Sequence, residues 1–287
     1  MEAAAAADAS ALRLALRQLL DEVDRRAGVA VTVRAHDERV EQELRVARRI
    51  QRALVGLTEM GLEGWSLVSE YEPAREIGGD FFDAFPILDG ARARRLGLVI
   101  ADVSGKGISA ALLMAFVRPV IRAAIDRTGD PVEALERTNR ILVGERRTGL
   151  FVTVLCGVLD LDSGELALAS AGHELPILVP ATGARPIVVG ESGPLVGAFR
   201  RLDLRPTTLN LAAGDRLLLY TDGVTDAANM SGERFGDERL LEVLGRAETA
   251  GAEAVVRSLV DAIAAFRGAA EPADDVAMLV VERLGGG

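Results

Sequence analysis

The chain has 287 residues and a single lysine, Lys106; the other 32 of its 33 lysine-plus-arginine side chains are arginine. It has one cysteine, Cys156, which excludes an intramolecular disulfide. Only two histidines, His36 and His173, join that cysteine as soft donors, so a zinc site built from His and Cys is not expected. Positive charge is scarce: 43 acidic residues against 33 basic ones leave a net charge of -10 and a pI near 4.9. That balance argues against duplex nucleic acid or an anionic membrane face as partner, and favours proteins or metal-held ligands. The N-terminal MEAAAAADAS is small and acidic where a signal peptide would be basic, so a cytoplasmic location is expected. The longest apolar stretch, Ile108 to Ile125, is broken by Arg118, Pro119 and Arg122; it reads as a buried helix and not as a membrane span.

What is present is the composition of a folded globular protein, 49% hydrophobic and 26% charged, with room for one large domain and a small appendage. Leu12, Leu16, Leu19 and Val23 recur at steps of four and three, a seam about two heptads long. Gly28 ends it, Val29, Val31 and Val33 suggest a short extended piece, and a second helical pattern runs through Val40, Leu44, Ala47 and Leu54. Residues 1–54 are therefore expected to form a helical regulatory segment and residues 55–287 the main domain. From about Gly64 short strand patterns follow: SLVSEY, DFFDAF, LGLVIADV, FVTVLCGVLDL, GELALASAG, DRLLLYTDG and VAMLVVE, separated by turn residues such as Asp162-Ser163-Gly164. Two helices interrupt them, the second opening with Asp130-Pro131-Val132-Glu133, an N-cap with proline at the first helical position. Two more are expected at Asp237 to Arg246 and Ala252 to Arg267. This order implies an α+β layered sandwich.

Several apolar runs begin or end at an aspartate. Asp102 closes LGLVIA, Asp222 follows DRLLLYT, Asp274-Asp275 precede VAMLVV, and Asp80 follows Gly78-Gly79. Strands hold such carboxylates rigidly while neighbouring glycines admit ligands closely. Oxygen donors of this type suit hard divalent cations such as Mg²⁺ and Mn²⁺. Any one of these residues alone could be an ordinary turn or strand-end group; it is the set that points to a metal site.

The segments REIGGDFFDAF, IADVSGKGISAALL, FVTVLCGVLDLDSGEL, ASAGHELPIL, LLLYTDGVTDA and ADDVAMLVV, in that order, resemble the SpoIIE/RsbU-like phosphatases. These are the bacterial branch of the metal-dependent PPM (type 2C) serine/threonine phosphatases, and the resemblance covers about Glu43 to Glu282. It implies an αββα sandwich of two central antiparallel sheets and a binuclear Mn²⁺ or Mg²⁺ centre. Asp80, Asp102, Asp222 and Asp274 match the metal-binding carboxylates, with Asp102 bridging, and the carbonyl of Val103 matches a further ligand. Departures are Phe82 where Tyr is commoner, Ala277 for a frequent Thr, and Pro119, which interrupts a helix usually continuous. None removes a ligand.

Two metal ions can generate a hydroxide and clamp phosphate for in-line attack, without a covalent enzyme intermediate. Cys156 fits that reading: it lies in an apolar strand pattern and not in a phosphate-binding Cys loop. SGKGIS is not a Walker A loop, because the earlier glycine is missing. Lys106, between Gly105 and Gly107 and four residues past Asp102, is placed to favour a phosphate dianion or, alternatively, to tether its loop to a carboxylate. Arg75 either meets phosphate at the site mouth or is a solvated loop charge. His173 reads as a hydrogen-bonding turn histidine, and Asp275 and Asp226 as supporting or surface groups. The resemblance implies as substrate a phosphorylated STAS-type anti-sigma-factor antagonist. The N-terminal seam could pair two chains, receive an activator, or pack on its own core. A binding module without turnover and a two-metal nucleotidyl cyclase are the rival classes.

Overall fold

The computed structural model describes residues 41–51, 53, 59–89, 92–144, 149, 151–247 and 251–285. The seam from Leu12 to Val23, the valines at 29, 31 and 33, and His36 lie outside the described residues. Contacts divide the chain into residues 1–49 and 50–287. Residues 41–51 are helical and are called α1.

Within the larger unit two sheets form. The first contains β1 (Glu59–Leu62), β2 (Trp65–Glu72), β7 (Ile177–Val179), β8 (Ile187–Val188), β11 (Arg216–Tyr220) and β12 (Val276–Arg283), in the order β1-β2-β12-β11-β7-β8, every pair antiparallel. The second contains β3 (Phe81–Asp89), β4 (Arg92–Val103), β5 (Val152–Asp160), β6 (Glu165–Ala171) and β10 (Thr207–Asn210), in the antiparallel order β10-β6-β5-β4-β3. The two-residue β9 (Ser192–Gly193) adds a parallel pairing to β6. All seven strand patterns named from the sequence are strands; β1 and β7 to β10, short or weakly patterned, are additions.

The near-continuous apolar runs of β11 and β12 have a simple cause: both faces of their sheet are covered. Leu217, Leu219, Ala277, Leu279 and Val281 face the core shared with the second sheet. Leu218, Tyr220, Met278 and Val280 face the other way, into a core with helices α4 (Gly236–Arg246) and α5 (Ala252–Arg267). The second sheet is covered on its far side by α2 (Ile108–Thr128) and α3 (Pro131–Gly144). Helices, sheet, sheet and helices thus make the αββα sandwich expected from the sequence. Truncating a side chain such as Leu279, fully buried between the sheets, would cost about 2–5 kcal/mol.

The capping reading of α3 holds, since Asp130 Oδ1 accepts a 2.9 Å hydrogen bond from the N–H of Glu133. Two readings of α2 change. The helix runs unbroken through Pro119, whose ring lies on the exposed face where the missing N–H is least costly. It is also buried along one face only: Ala110, Met114, Val117, Ile121, Ala124 and Ile125 pack inward, while Ile108, Leu112 and Phe116 are exposed. The helix is long and apolar enough by composition to cross a membrane, but that inward face lies against the second sheet. Arg118 and Arg122 anchor it to Asp83 of β3, a carboxylate 3% exposed, at 3.0 and 3.5 Å.

Candidate active site

The β3–β4 register pairs Phe81 with Ala101. One step further along the same ladder sets Asp80 beside Asp102, at one end of the second sheet. Asp80 is 2% exposed, and the two glycines before it are there for want of room. A Cβ on Gly79 would sit 2.8 Å from the Val103 carbonyl oxygen, and one on Gly78 would sit 2.0 Å from Asp275 Oδ2. Asp275 in turn holds this loop with both oxygens: Oδ1 accepts from the Ala74 N–H and Oδ2 from the Gly79 N–H, each at 2.8 Å. Its supporting reading is thereby given a concrete form.

The first sheet delivers the other pair. Asp222 follows β11 and Asp274 precedes β12, adjacent antiparallel strands. Beyond the ladder, Thr221 N–H donates to the Ala277 carbonyl and Ala277 N–H donates to Thr221 Oγ1, both at 3.0 Å. Gly223 is forced, because a Cβ there would lie 1.8 Å from the Asp275 carbonyl oxygen.

The electrostatics place these carboxylates within range of one another. Burial first, then the charges of Asp102 and Asp275, push Asp80 well above the usual carboxylate range. Asp102 is raised by burial, with a hydrogen bond to Asp80 opposing and Asp274 and Asp275 adding. Asp222 is pushed up to about 6 by burial and by Asp102 and Asp274. Asp80 Oδ2 is buried with no hydrogen-bond partner. Like charges and an orphaned carboxylate oxygen fit a divalent cation, which removes both penalties at once. Among the described residues no three acidic, imidazole or thiol groups are closed into a coordination cluster.

Lys106 reaches a carboxylate, as its tethering reading requires. Its Nζ lies 3.3 Å from Asp274 Oδ2 and donates to the Ala273 carbonyl at 3.0 Å, so the tether exists. It also borders a cavity of about 220 Å³ whose wall includes Arg75, Gly79, Asp102, Gly105, Gly107 and Asp274. Asp80, Val103 and Asp222 are not in that wall. Gly105 and Gly107 have φ of 100° and 70°, and Gly107 is the N-cap of α2, so the helix N-terminus borders the same cavity. A larger depression of about 420 Å³, walled by Asn139, Arg140, Arg200 and Arg201 among others, contains none of these aspartates. His173 is 4% exposed, shares a 2.8 Å hydrogen bond with Thr153 through Nδ1, and is held neutral by burial, its pKa lowered to about 3. Thr153 pairs with Asp102 across the β4–β5 ladder, so the imidazole acts at most through that neighbour. Cys156 is fully buried and its thiol is pushed up by burial.

The family model of Stage II sporulation protein E (SpoIIE) matches residues 92–284. The chain belongs to the SpoIIE family. Protein IcfG of Synechocystis sp. is 31% identical over 229 residues, 70% of this chain and 35% of its own length. Phosphoserine phosphatase RsbU of Bacillus subtilis is 25% identical over 213 residues, 74% of this chain and 62% of its own length. The chain thus spans less than two thirds of these curated relatives. Among solved structures, the RsbU and RsbW domains of Rv1364c from Mycobacterium tuberculosis share 28% identity at a TM-score of 0.63, covering 78% of this chain and 61% of that one. The SiaA-PP2C domain of Pseudomonas aeruginosa shares the fold, with a TM-score of 0.73 at 22% identity, covering 88% of this chain and 99% of that one.

Two residues at this edge had no part in the sequence reading. Thr153 carries no local signal. Gln51 does: it continues the Leu44 and Ala47 stripe at helical spacing, where an apolar residue would be expected, and it is 5% exposed.

Proposed function

We propose that the chain is a metal-dependent serine/threonine protein phosphatase. The observation that carries this is the electrostatic proximity of Asp80, Asp102, Asp222 and Asp274: Asp102 raises Asp80 and Asp222, Asp274 raises Asp102 and Asp222, and a buried Asp80 oxygen is without a partner. Together with the Val103 carbonyl they would hold two Mn²⁺ or Mg²⁺ ions, Asp102 serving both. When bound, such ions lower the pKa of water and offset phosphate charge. The chain's own residues do the rest. Arg75, Gly105 and Gly107 line the cavity in which a phosphoryl group would lie, and the α2 N-terminus favours an anion there. Lys106 exchanges Asp274 for the incoming dianion once that carboxylate is engaged elsewhere. No enzyme nucleophile is needed, and the one thiol is buried away from the edge.

Phosphoserine phosphatases RsbU and RsbP of Bacillus subtilis are relatives, which supports phosphoserine or phosphothreonine on a protein as substrate. By family analogy that protein is a phosphorylated STAS-type anti-sigma-factor antagonist in the cytoplasm. Residues 1–54 then serve as the regulatory segment, pairing two chains or receiving an activator protein, and residues 55–287 as the catalytic domain. The test is incubation of the full chain with phosphorylated STAS proteins of its own organism, with Mn²⁺ or with a chelator. Mn²⁺-dependent loss of phosphate is expected. No release from these proteins, nor from p-nitrophenyl phosphate, would overturn the reading in favour of a binding module.

A further inference from the structure

Asp80 does not sit on a strand. It ends a loop, and its position depends on what holds Gly78 and Gly79. Asp275 holds Gly79 by its N–H at 2.8 Å, and the Val103 carbonyl closes the space on another side of the same glycine. Gly78 is held by Gln51: the Gln51 Nε2 donates to the Gly78 carbonyl at 2.6 Å, and the Gly78 N–H donates to Gln51 Oε1 at 3.1 Å. A primary amide meets both polar groups of one residue, as a neighbouring strand would. Both bonds are buried, where a lost partner leaves an unsatisfied group. Asp275 and Val103 belong to the sheets or to the loops that lead into them; Gln51 comes from the helix of residues 41–51.

We infer that Gln51 is a positioning residue for the metal site, acting through Gly78 to set where Asp80 stands and hence how tightly divalent cations bind. This rests on the reading of Asp80 and Asp102 as metal ligands. The mechanism is preorganisation. A carboxylate carried on a held loop binds a cation without first ordering that loop, and groups that orient metal ligands are worth roughly ten- to a hundredfold in metal affinity. Both halves of the amide are required. Gln51→Glu keeps an acceptor but sets a carboxylate oxygen against the Gly78 carbonyl, so it does not restore the clamp.

Asn139 supplies the control. It makes the same kind of double bond elsewhere, donating to the Phe199 carbonyl at 3.0 Å and accepting from the Gly197 N–H at 2.8 Å, and is 1% exposed. The experiment is Mn²⁺ titration by calorimetry on the full chain, with melting curves of the metal-free proteins, for wild type, Gln51→Ala, Gln51→Glu, Asn139→Ala and Asp102→Asn. Gln51→Ala and Gln51→Glu are expected to weaken Mn²⁺ binding roughly ten- to a hundredfold, with activity returning toward wild type at saturating Mn²⁺. Asn139→Ala should lower the melting temperature comparably yet leave Mn²⁺ affinity within about twofold, since it touches no ligand loop. If Gln51→Ala binds Mn²⁺ as wild type does, or loses no more than Asn139→Ala, the inference fails alone. If wild type binds no Mn²⁺, or Asp102→Asn binds it equally well, the metal-site reading fails and the inference with it.

Discussion

The two ends of the β-sandwich treat their carboxylates in opposite ways. At the end away from the cavity Asp215 and Asp160 are answered. Asp215 accepts from the Ala181 and Ala212 N–H groups at 2.8 and 2.9 Å. Asp160 accepts from the backbone and hydroxyl of Ser163, which hold it below the usual carboxylate range. Arg283, at the end of β12, donates to the carbonyls of Ser163, Leu211 and Asp162 and lies over the Trp65 ring. At the cavity end Asp80 and Asp222 each feel the charge of Asp102, and all three are raised. The same strands run between the two ends, and even at the cavity end Asp275 is answered by the Ala74 and Gly79 N–H groups, so the fold has the means to satisfy an aspartate there and leaves an oxygen of Asp80 without a partner. On the proposed reading, this is the repulsion that a divalent cation would offset, kept by a framework stable elsewhere.

The comparison can be broken most decisively at Asp102. Asp102→Asn should lower phosphatase activity more than about a hundredfold, near 3 kcal/mol of barrier, while the metal-free protein melts no lower than wild type because a repulsion is removed. Activity above about a tenth of wild type in a steady-state assay would show that the edge is not organised around this residue. Lys106→Ala comes next. If the ammonium serves the substrate, kcat/KM falls roughly tenfold or more with Mn²⁺ affinity unchanged; equal loss of metal binding would make it a tether alone. At the other end Asp215→Ala should do the reverse, costing about 1–3 kcal/mol of stability by orphaning two partly buried N–H groups while kcat is retained, as denaturant melts and the same assay would show.

The smallest effect is one of pH. Asp222 titrates at 3.8 unfolded and about 6 in the fold, so its contribution is fully favourable below the lower value and is lost as pH rises through the upper one. Metal-free Asp222→Asn should therefore gain in melting temperature over wild type as pH rises from about 4 to 7, by a few degrees at most. Mn²⁺ should cancel that gain by restoring wild type. A gap that is constant with pH, or that widens with Mn²⁺, would contradict the electrostatic account of this edge.

Some of this was legible in the chain and some was not. Period-two runs and turn residues identify the long strands from SLVSEY to VAMLVVE, and Asp130-Pro131 marks a helix start, because these signals depend on near neighbours. The two-residue β8 and β9 have too few positions to show a period. The unbroken course of α2 could not be read from Pro119, since the cost of a proline depends on which face it occupies. Asp80 follows a glycine pair, Asp222 precedes a glycine, and Asp102 and Asp274 lie at the ends of apolar runs, so the residue types of the site are local facts. Their meeting is not local. It needs β3 and β4 from one sheet and β11 and β12 from the other to end at the same edge, and no spacing along the chain encodes that distance. The hold of Asp275 on Gly79, 196 positions away, and of Gln51 on Gly78, 27 positions away, likewise exists only once the chain has folded. Sequence alone determined which groups could bind a hard cation and which elements carry them. Tertiary packing decided that they lie close enough, and dry enough, to act on one another, because burial is what makes neighbouring like charges costly.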